Sequence, residues 1–344
     1  MGEDGGVALI RVAGPADMAA IRAIAAGFDL LGTWPSQPDF LDLERETGRL
    51  VVADRGAESS GSVKGRTRVH IPADGLAEAV GSSGGVGRAA ADSTVDPAGT
   101  AHSAGTAHSA GTAHSAGTAD LAGVVGFAGT LTRGGLTHLG DLFIDPGTQS
   151  AGLGRRLLAA VLPGPGHPVV TFASADPRAL ALYMRHGLRP RQPLWYLHGL
   201  AAALPEAPAE IRPRPASADD IAELDAEVSG GHRVEHLAWY LGQPGVAAWT
   251  TPSGYAVTRV RGDTCAVGPA GGHDADATVR AVLAAARHVA GDDGHSVHLA
   301  VFAAHPLAAV LVGAGFRITD QDTFMATPGS PLDADRYVPN ADLG

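Results

Sequence analysis

The stretch FIDPGTQSAGLGRRLL, residues 143–158, restricts the architectures open to this chain more than any other. A short apolar run stops at Asp145-Pro146, and Gln149, Gly152 and Gly154 then lead into an apolar-periodic segment. That is a strand passing through a glycine-rich turn into a helix. A helix start carries unpaired N–H groups and the positive end of the helix dipole. Gly152 and Gly154 let a ligand reach that backbone with no Cβ in the way. The arrangement suits an anion, phosphate oxygens above all. It is not a Walker loop, because no Gly-Lys-Ser/Thr ending follows. Nor is it the dinucleotide fingerprint, because Leu157 stands where a third glycine is needed.

The pattern around this turn is mixed α/β. Strand-like runs at 7–14, 48–54, 121–132, 136–146, 167–174 and 194–200 interleave with helical periodicity at 15–28, 38–48, 150–162 and 176–187. In the last of these helices Asp176 is the expected N-cap, Pro177 opens the first turn and Gly187 ends it. A Pro-rich linker, PEAPAEIRPRPAS (205–217), follows, and the order starts again. IRPRPASADDIAELDAEV (211–228) parallels IRVAGPADMAAIRAIAAGF (10–28), and VHLAVFAAHPLAAVLVGAGF (297–316) parallels VVTFASADPRALALYMRHGL (169–188). The likeness is in the order of elements more than in the residues. It predicts an internal duplication with a boundary near residue 205, in keeping with 344 residues, more than one core usually serves.

Residues 56–120 break the pattern. They are rich in Gly, Ser, Ala and Thr, and GTAHSA occurs there three times in tandem. Such a segment buries too little apolar surface to offset its ordering entropy, so disorder is expected. His102, His108 and His114 recur every six residues. They read as a repeat expansion in a lengthened hairpin turn rather than as a metal-binding tract.

Lys plus Arg total 25 and Asp plus Glu 36, a net charge of −11, which argues against a nucleic-acid partner. Cys265 is the only cysteine, so neither an intrachain disulfide nor a cysteine zinc cluster can form, as suits a reducing cytoplasm. The opening MGEDGGVALIRVAG is acidic and lacks a signal-peptide core, and no run reaches the length of a membrane span. A cytoplasmic protein with no metal, nucleic-acid or membrane partner is expected.

LFIDPGTQSAGLGRRLL followed by ADPRALALYMRHGL resembles the acetyl-CoA-binding core of the GCN5-related N-acetyltransferase (GNAT) superfamily. The family pattern is a strand ending in an apolar-x-Pro step, then Gln or Arg-x-x-Gly-x-Gly or Ala, then a helix. Gln149-Ser150-Ala151-Gly152-Leu153-Gly154 fits it throughout. Further along, the family has Asn-x-x-Ala-x-x-x-Tyr-x-x-x-Gly-Phe. Asp176, Ala179, Tyr183, Gly187 and Leu188 stand there, with Asp for Asn and Leu for Phe. The resemblance implies an α/β fold (an α+β mixed sheet) of two tandem GNAT-like acyltransferase domains, each a mostly antiparallel twisted sheet flanked by helices. Residues 1–204, carrying the insert 56–120, would bind acetyl-CoA. Residues 205–328 would be a degenerate partner and 329–344 a tail.

The resemblance also implies roles. The backbone of Leu142, Phe143 and Ile144 would lie beside the pantetheine arm, as a strand edge can bind an extended amide-bearing ligand. Gln149, Ser150, Ala151, Gly152, Leu153, Gly154 and Arg155 would grip the pyrophosphate. The helix from Asp176, including Ala179, would flank the thioester. The implied activity is direct transfer of an acetyl group from acetyl-CoA, a cosubstrate, to a primary amine, with no metal. The alternative is a CoA-binding sensor or scaffold without turnover. A lysine-like ammonium costs about 4–5 kcal/mol to deprotonate at pH 7, so a base is needed. His138 is the expected base, since imidazole titrates in the right range. Asp141, on the opposite strand face by simple alternation, and Glu44 and Glu46 are other candidates. Tyr183 is the expected acid for the departing thiolate.

The second half departs from the pattern. CAVGPAGGHDADATVRAVLAAA (265–286) lacks the phosphate turn, and Asp274 and Asp276 would repel pyrophosphate. Cofactor binding is expected to be lost there, leaving this half to complete the substrate cleft or to form a homodimer contact. His273 and His305 are expected in a loop and a cap, and Cys265 in a strand core. The acceptor, a small-molecule or peptide amine, has no legible signature.

Overall fold

The computed structural model describes residues 8–28, 30, 37–55, 123–148, 152–207, 210–291 and 294–344. The insert 56–120, with its three repeat histidines, lies outside them. The first run of elements is β1 (Leu9–Val12), α1 (Met18–Ala26), α2 (Phe40–Thr47), β2 (Arg49–Asp54), β3 (Val124–Arg133), β4 (Leu136–Ile144), α3 (Leu153–Val161), β5 (Val169–Ala173), α4 (Pro177–Arg185) and β6 (Arg189–Leu200). The second is β7 (Arg214–Ala216), α5 (Ala218–Ser229), α6 (Val234–Leu241), β8 (Val246–Thr251), β9 (Gly254–Arg261), β10 (Thr264–Gly272), α7 (Ala275–Ala290), β11 (Ser296–Phe302), α8 (Pro306–Gly313) and β12 (Arg317–Ala326). The two runs have one order of strands and helices, so the duplication read from the sequence is present in the fold. β13 (Tyr337–Val338) follows.

All these strands join one mostly antiparallel sheet, in the order β1-β2-β3-β4-β5-β12-β6-β11-β10-β9-β8-β7. The order reads as one repeat and then the other reversed, with the last strand of each exchanged. β12 pairs β5 antiparallel from Thr323↔Ala173 to Ala326↔Val170. β6 pairs β11 from Leu194↔Phe302 to Leu200↔Ser296. β12 and β6 then pair with each other at the centre.

Strand alternation divides the core into layers. One face carries α1, α2, α5 and α6 over a continuous cluster that includes Ile21, Leu43, Phe127, Ile221, Tyr240 and Phe324. On the other face α3 and α4 cover a cluster with Leu139, Leu157 and Tyr183. There α7 and α8 cover a separate one with Leu283, Leu307 and Leu311. In α3 the apolar spacing buries Leu153, Leu157, Leu158 and Val161 on one side. Each such side chain contributes about 1.5–3 kcal/mol of burial, far more than helix propensity in so short a segment.

Helix ends follow the capping residues. Asp39 caps α2 by accepting from the Leu41 and Asp42 N–H groups, and Ser217 caps α5. Asp176 accepts from the Arg178 N–H at the start of α4, as expected. Residues after 328, expected as a tail, include buried Tyr337, Val338 and Leu343, and β13 pairs antiparallel with β10. Among the described residues no helix is long and apolar enough to cross a membrane.

Candidate acyl-transfer site

The site is built where β4 and β5 part. Their parallel ladder runs from Thr137↔Val169 to Leu139↔Thr171 and stops there, although β4 continues to Ile144. A bulge marks the parting. Gly129 and Thr130 of β3 face Asp141 and Leu139 of β4, so Gly140 is the extra residue. Beyond it, the Asp145 N–H donates to the Val125 carbonyl at 2.9 Å. Alternation then directs the peptide groups of Phe143 and Asp145 toward β3 and those of Leu142 and Ile144 away from it. On that second side of Leu142–Ile144 no described strand pairs. A strand edge that no described strand covers is one with which an extended amide-bearing ligand can pair.

The same edge leads to the start of α3. Gly152 holds a left-handed conformation, φ 72°, as the N-cap. A Cβ there would meet nothing within 4 Å among the described residues. Leu153 is buried beneath α3, while Arg155 is exposed on its outer side. Gln149, Ser150 and Ala151 lie outside the described residues. Ala179 and Tyr183 of α4 belong to the layer packed against Leu142 and Ile144. Tyr183 is buried, and its phenol is pushed well above the ordinary value by burial, then by the Asp141 and Asp322 charges.

On the opposite face of the parting lie His138, Asp141 and Glu44, all buried. Simple alternation placed Asp141 away from His138. The bulge at Gly140 resets the phase, and both side chains share the face covered by α1 and α2. A Cβ on Gly140 would fall 2.6 Å from Glu44 Oε1 and 3.9 Å from His138 Cε1. A Cβ on Gly129 of β3 would collide with the same carboxyl group. Two glycines thus make the floor on which the Glu44 carboxyl rests. Burial first, then the neighbouring Asp141 carboxylate, raises the Glu44 pKa well above the usual range. Glu44 is held there by its helix: Arg22 of α1 clamps Asp39 at 2.7 Å and Asp42 at 2.5 Å, fixing the start of α2. Glu46, the other candidate on α2, is exposed and pairs with Arg45. Sequence spacing could not separate Glu44 from Glu46. The signal lay in the glycines at 129 and 140, which sit opposite one another only once the register is known.

In the second half the equivalent edge is filled. The β10–β11 ladder ends at Val267↔Leu299. Beyond an irregularity in β10, Ala270 and Gly271 pair with Val338 and Tyr337 of β13. The chain's own strand occupies the position where, beside Leu142–Ile144, no described strand pairs. Asp274 caps α7 by accepting from the Ala277 N–H, so an anion already sits at that helix start. His305 caps α8 through Nδ1, His273 follows β10 in a loop, and Cys265 is buried in β10 with its thiol pushed up to about 12 by burial. Among the described residues no group of His, Cys, Asp and Glu could hold a metal ion.

Residues 94–202 match the family model described as an acetyltransferase (GNAT) domain. A search of curated proteins finds no match. Among solved structures, a putative acetyltransferase from Pyrococcus horikoshii superposes with a TM-score of 0.62 at 12% identity, covering 100% of this chain and 98% of that one. A GCN5-related N-acetyltransferase from Sphaerobacter thermophilus gives 0.48 at 12% identity, over 96% and 98% of the chains. One from Kribbella flavida gives 0.40 at 17% identity, over 59% and 56%. The family model falls on the segment that holds the parted strands, the bulge and the left-handed start of α3, and the full-length superposition carries the fold through both repeats. Residues 94–202 are thus similar to an acetyltransferase (GNAT) domain, and the whole chain shares its fold with a putative acetyltransferase.

Proposed function

We propose that the first half transfers an acetyl group from acetyl-CoA to a primary amine. The observation that carries this reading is the parting of β4 from β5 after Leu139, which leaves Leu142–Ile144 beside no other described strand and leads to the left-handed glycine at the start of α3. Pantetheine amides would pair with that edge and the pyrophosphate would lie on the α3 amides. The thioester would then sit at the parting near Gly140, between Tyr183 on one face and His138, Asp141 and Glu44 on the other.

In this reading the amine nitrogen attacks the thioester carbonyl carbon. The C–N bond forms, the C–S bond breaks, and an outward-facing peptide N–H of β4 donates to the carbonyl oxygen as it gains charge. His138 takes the amine proton. Asp141 and Glu44 share one negative charge beside it, which favours the imidazolium. Tyr183 donates a hydrogen bond to the departing thiolate and remains a phenol, because its proton is held more tightly than in water. The acceptor is a small-molecule or peptide amine. The filled edge and capped helix of the second half support a single cofactor site per chain.

The test is calorimetry with CoA and a panel of amines assayed for acetyl-CoA-dependent thiol release. One CoA per chain is expected, with turnover lowered about 100-fold or more by His138→Gln or Tyr183→Phe while CoA affinity is kept. Absence of CoA binding would refute the reading. Binding with no thiol release on any amine would reduce the protein to a sensor.

A further inference from the structure

The second half has no open cofactor edge, yet its most elaborate buried network ends on a residue of the catalytic cluster. Arg233 and Asp225 are both fully buried and form a two-pronged pair, Nε to Oδ2 at 2.7 Å and Nη2 to Oδ1 at 2.8 Å. Tyr255 donates to the same carboxylate at 2.5 Å. Arg233 Nη1 then reaches the carbonyls of Leu343 at 3.1 Å and Gly344 at 2.7 Å. The Tyr337 hydroxyl donates to the Gly344 carbonyl at 2.5 Å and accepts from Arg233 Nη2 at 2.6 Å. Arg133, from the end of β3 in the first half, donates to the Leu343 carbonyl at 3.1 Å and to the Ser229 carbonyl at 3.0 Å.

Two buried guanidinium groups and a phenol are therefore committed to the main-chain oxygens of Leu343 and Gly344. Such an anchor is costly to assemble unless its geometry matters, since buried charges gain little net stability over apolar packing. What it fixes is Gly344. This residue has φ 78°, and a Cβ on it would fall 2.6 Å from His138 Nδ1 and 2.9 Å from Cδ2. Its backbone lies directly against the imidazole. On the other sides the ring meets Phe172, at 5.1 Å between centroids, and the Gly140–Glu44 floor.

We infer that the second half acts on the reaction by positioning: its Asp225–Arg233–Tyr337 network presses Gly344 against His138 and sets the orientation of that imidazole. The inference rests on the reading of His138 as the base. It assigns the half without an open cofactor edge a part in the chemistry of the other.

The structure supplies its own control. Gly329 has φ 77°, almost the value of Gly344, but a Cβ there would meet nothing within 4 Å. Gly329→Ala imposes the same backbone strain without the contact. In the full-length protein, Gly344→Ala is expected to lower kcat about tenfold, since small misplacements of a reacting group cost that much or more. The KM for acetyl-CoA is expected to stay unchanged, and the imidazole ¹H–¹³C resonance of His138 to shift. Gly329→Ala is expected to leave kcat and that resonance at their parental values. Tyr337→Phe, which removes one donor to the Gly344 carbonyl, is expected to move both readouts the same way by less, and carries the test if the alanine variant does not fold. A folded Gly344→Ala protein matching Gly329→Ala in kcat and in the His138 resonance overturns the inference. If His138→Gln keeps parental kcat while Gly344→Ala still shifts the resonance, the base assignment fails and the positioning contact stands.

Discussion

Glu44 is the residue on which the physical cost of the site is concentrated. Its carboxyl is buried, lies over two glycines and faces Asp141. In the unfolded chain a glutamate ionises near pH 4.3. In the fold, burial and the Asp141 charge keep it protonated well above that. Between the two values the native state holds a proton that the unfolded state has released, so stability falls as pH rises through that window. Below the unfolded value both states are protonated and the penalty vanishes. Glu44→Gln keeps the shape and removes the titration. It is expected to stabilise the protein by about 1–3 kcal/mol at pH 7, because each tenfold gain in proton affinity on folding is worth about 1.4 kcal/mol there, and to leave stability unchanged at pH 4. Urea melts of both proteins at the two pH values check this. Equal stability at pH 7 would mean that Glu44 is ionised in the fold.

At the scale of elements, the start of α3 is where the proposed pyrophosphate site can be tested. Gly152 occupies a backbone region that costs an L residue roughly 1–2 kcal/mol. Gly152→Ala is therefore expected to lower stability by about 1 kcal/mol without ligand. The gap should widen in saturating CoA, because the added methyl projects into the open space before the helix. Melting curves with and without CoA measure both effects, and a gap that stays constant would place the pyrophosphate elsewhere. Most of these elements were legible in the sequence. The turn at 149–154 announced α3, Asp176-Pro177 announced α4, and the repeated order announced the second half. Three features were not legible, each for a physical reason. The bulge at Gly140 inverts the face of Asp141, and a lone glycine in a strand does not say whether it adds a residue to the register. The pairing of β13 with β10 rests on two residues, too few for any periodicity. The exchange of β6 and β12 leaves no trace, because both are long antiparallel strands with interchangeable patterns and either could close either half.

That exchange decides how the whole molecule must fold. In the intact chain β5 pairs with β12, and β6 lies between β12 and β11. Phe324 and Ala326 of β12 belong to the continuous core, and Met325 belongs to the layer under α3 and α4. Residues 1–205 expressed alone would lose all three, along with Gly344 beside His138. They would leave β5 and β6 with no strand between them. Two outcomes are open to such a fragment. It could slide β6 into the place of β12 beside β5, making a self-contained sheet, or it could expose the edge of β5 and self-associate. The side chains decide between them. Tyr196 of β6 is buried with its hydroxyl on Asp322 of β12 at 2.7 Å, and Leu194 and Leu197 pack into clusters shared with the second half. Moving β6 would leave that hydroxyl and those leucines without partners. The isolated fragment is therefore expected to associate or aggregate, and to bind CoA only when refolded with residues 206–344. The full chain is expected to unfold in a single transition by circular dichroism and by fluorescence of its four tryptophans. A monomeric fragment that binds CoA alone would show that the strand exchange is dispensable. In that case the cofactor edge would belong to the first repeat by itself, and the two halves would be partners by contact rather than by construction.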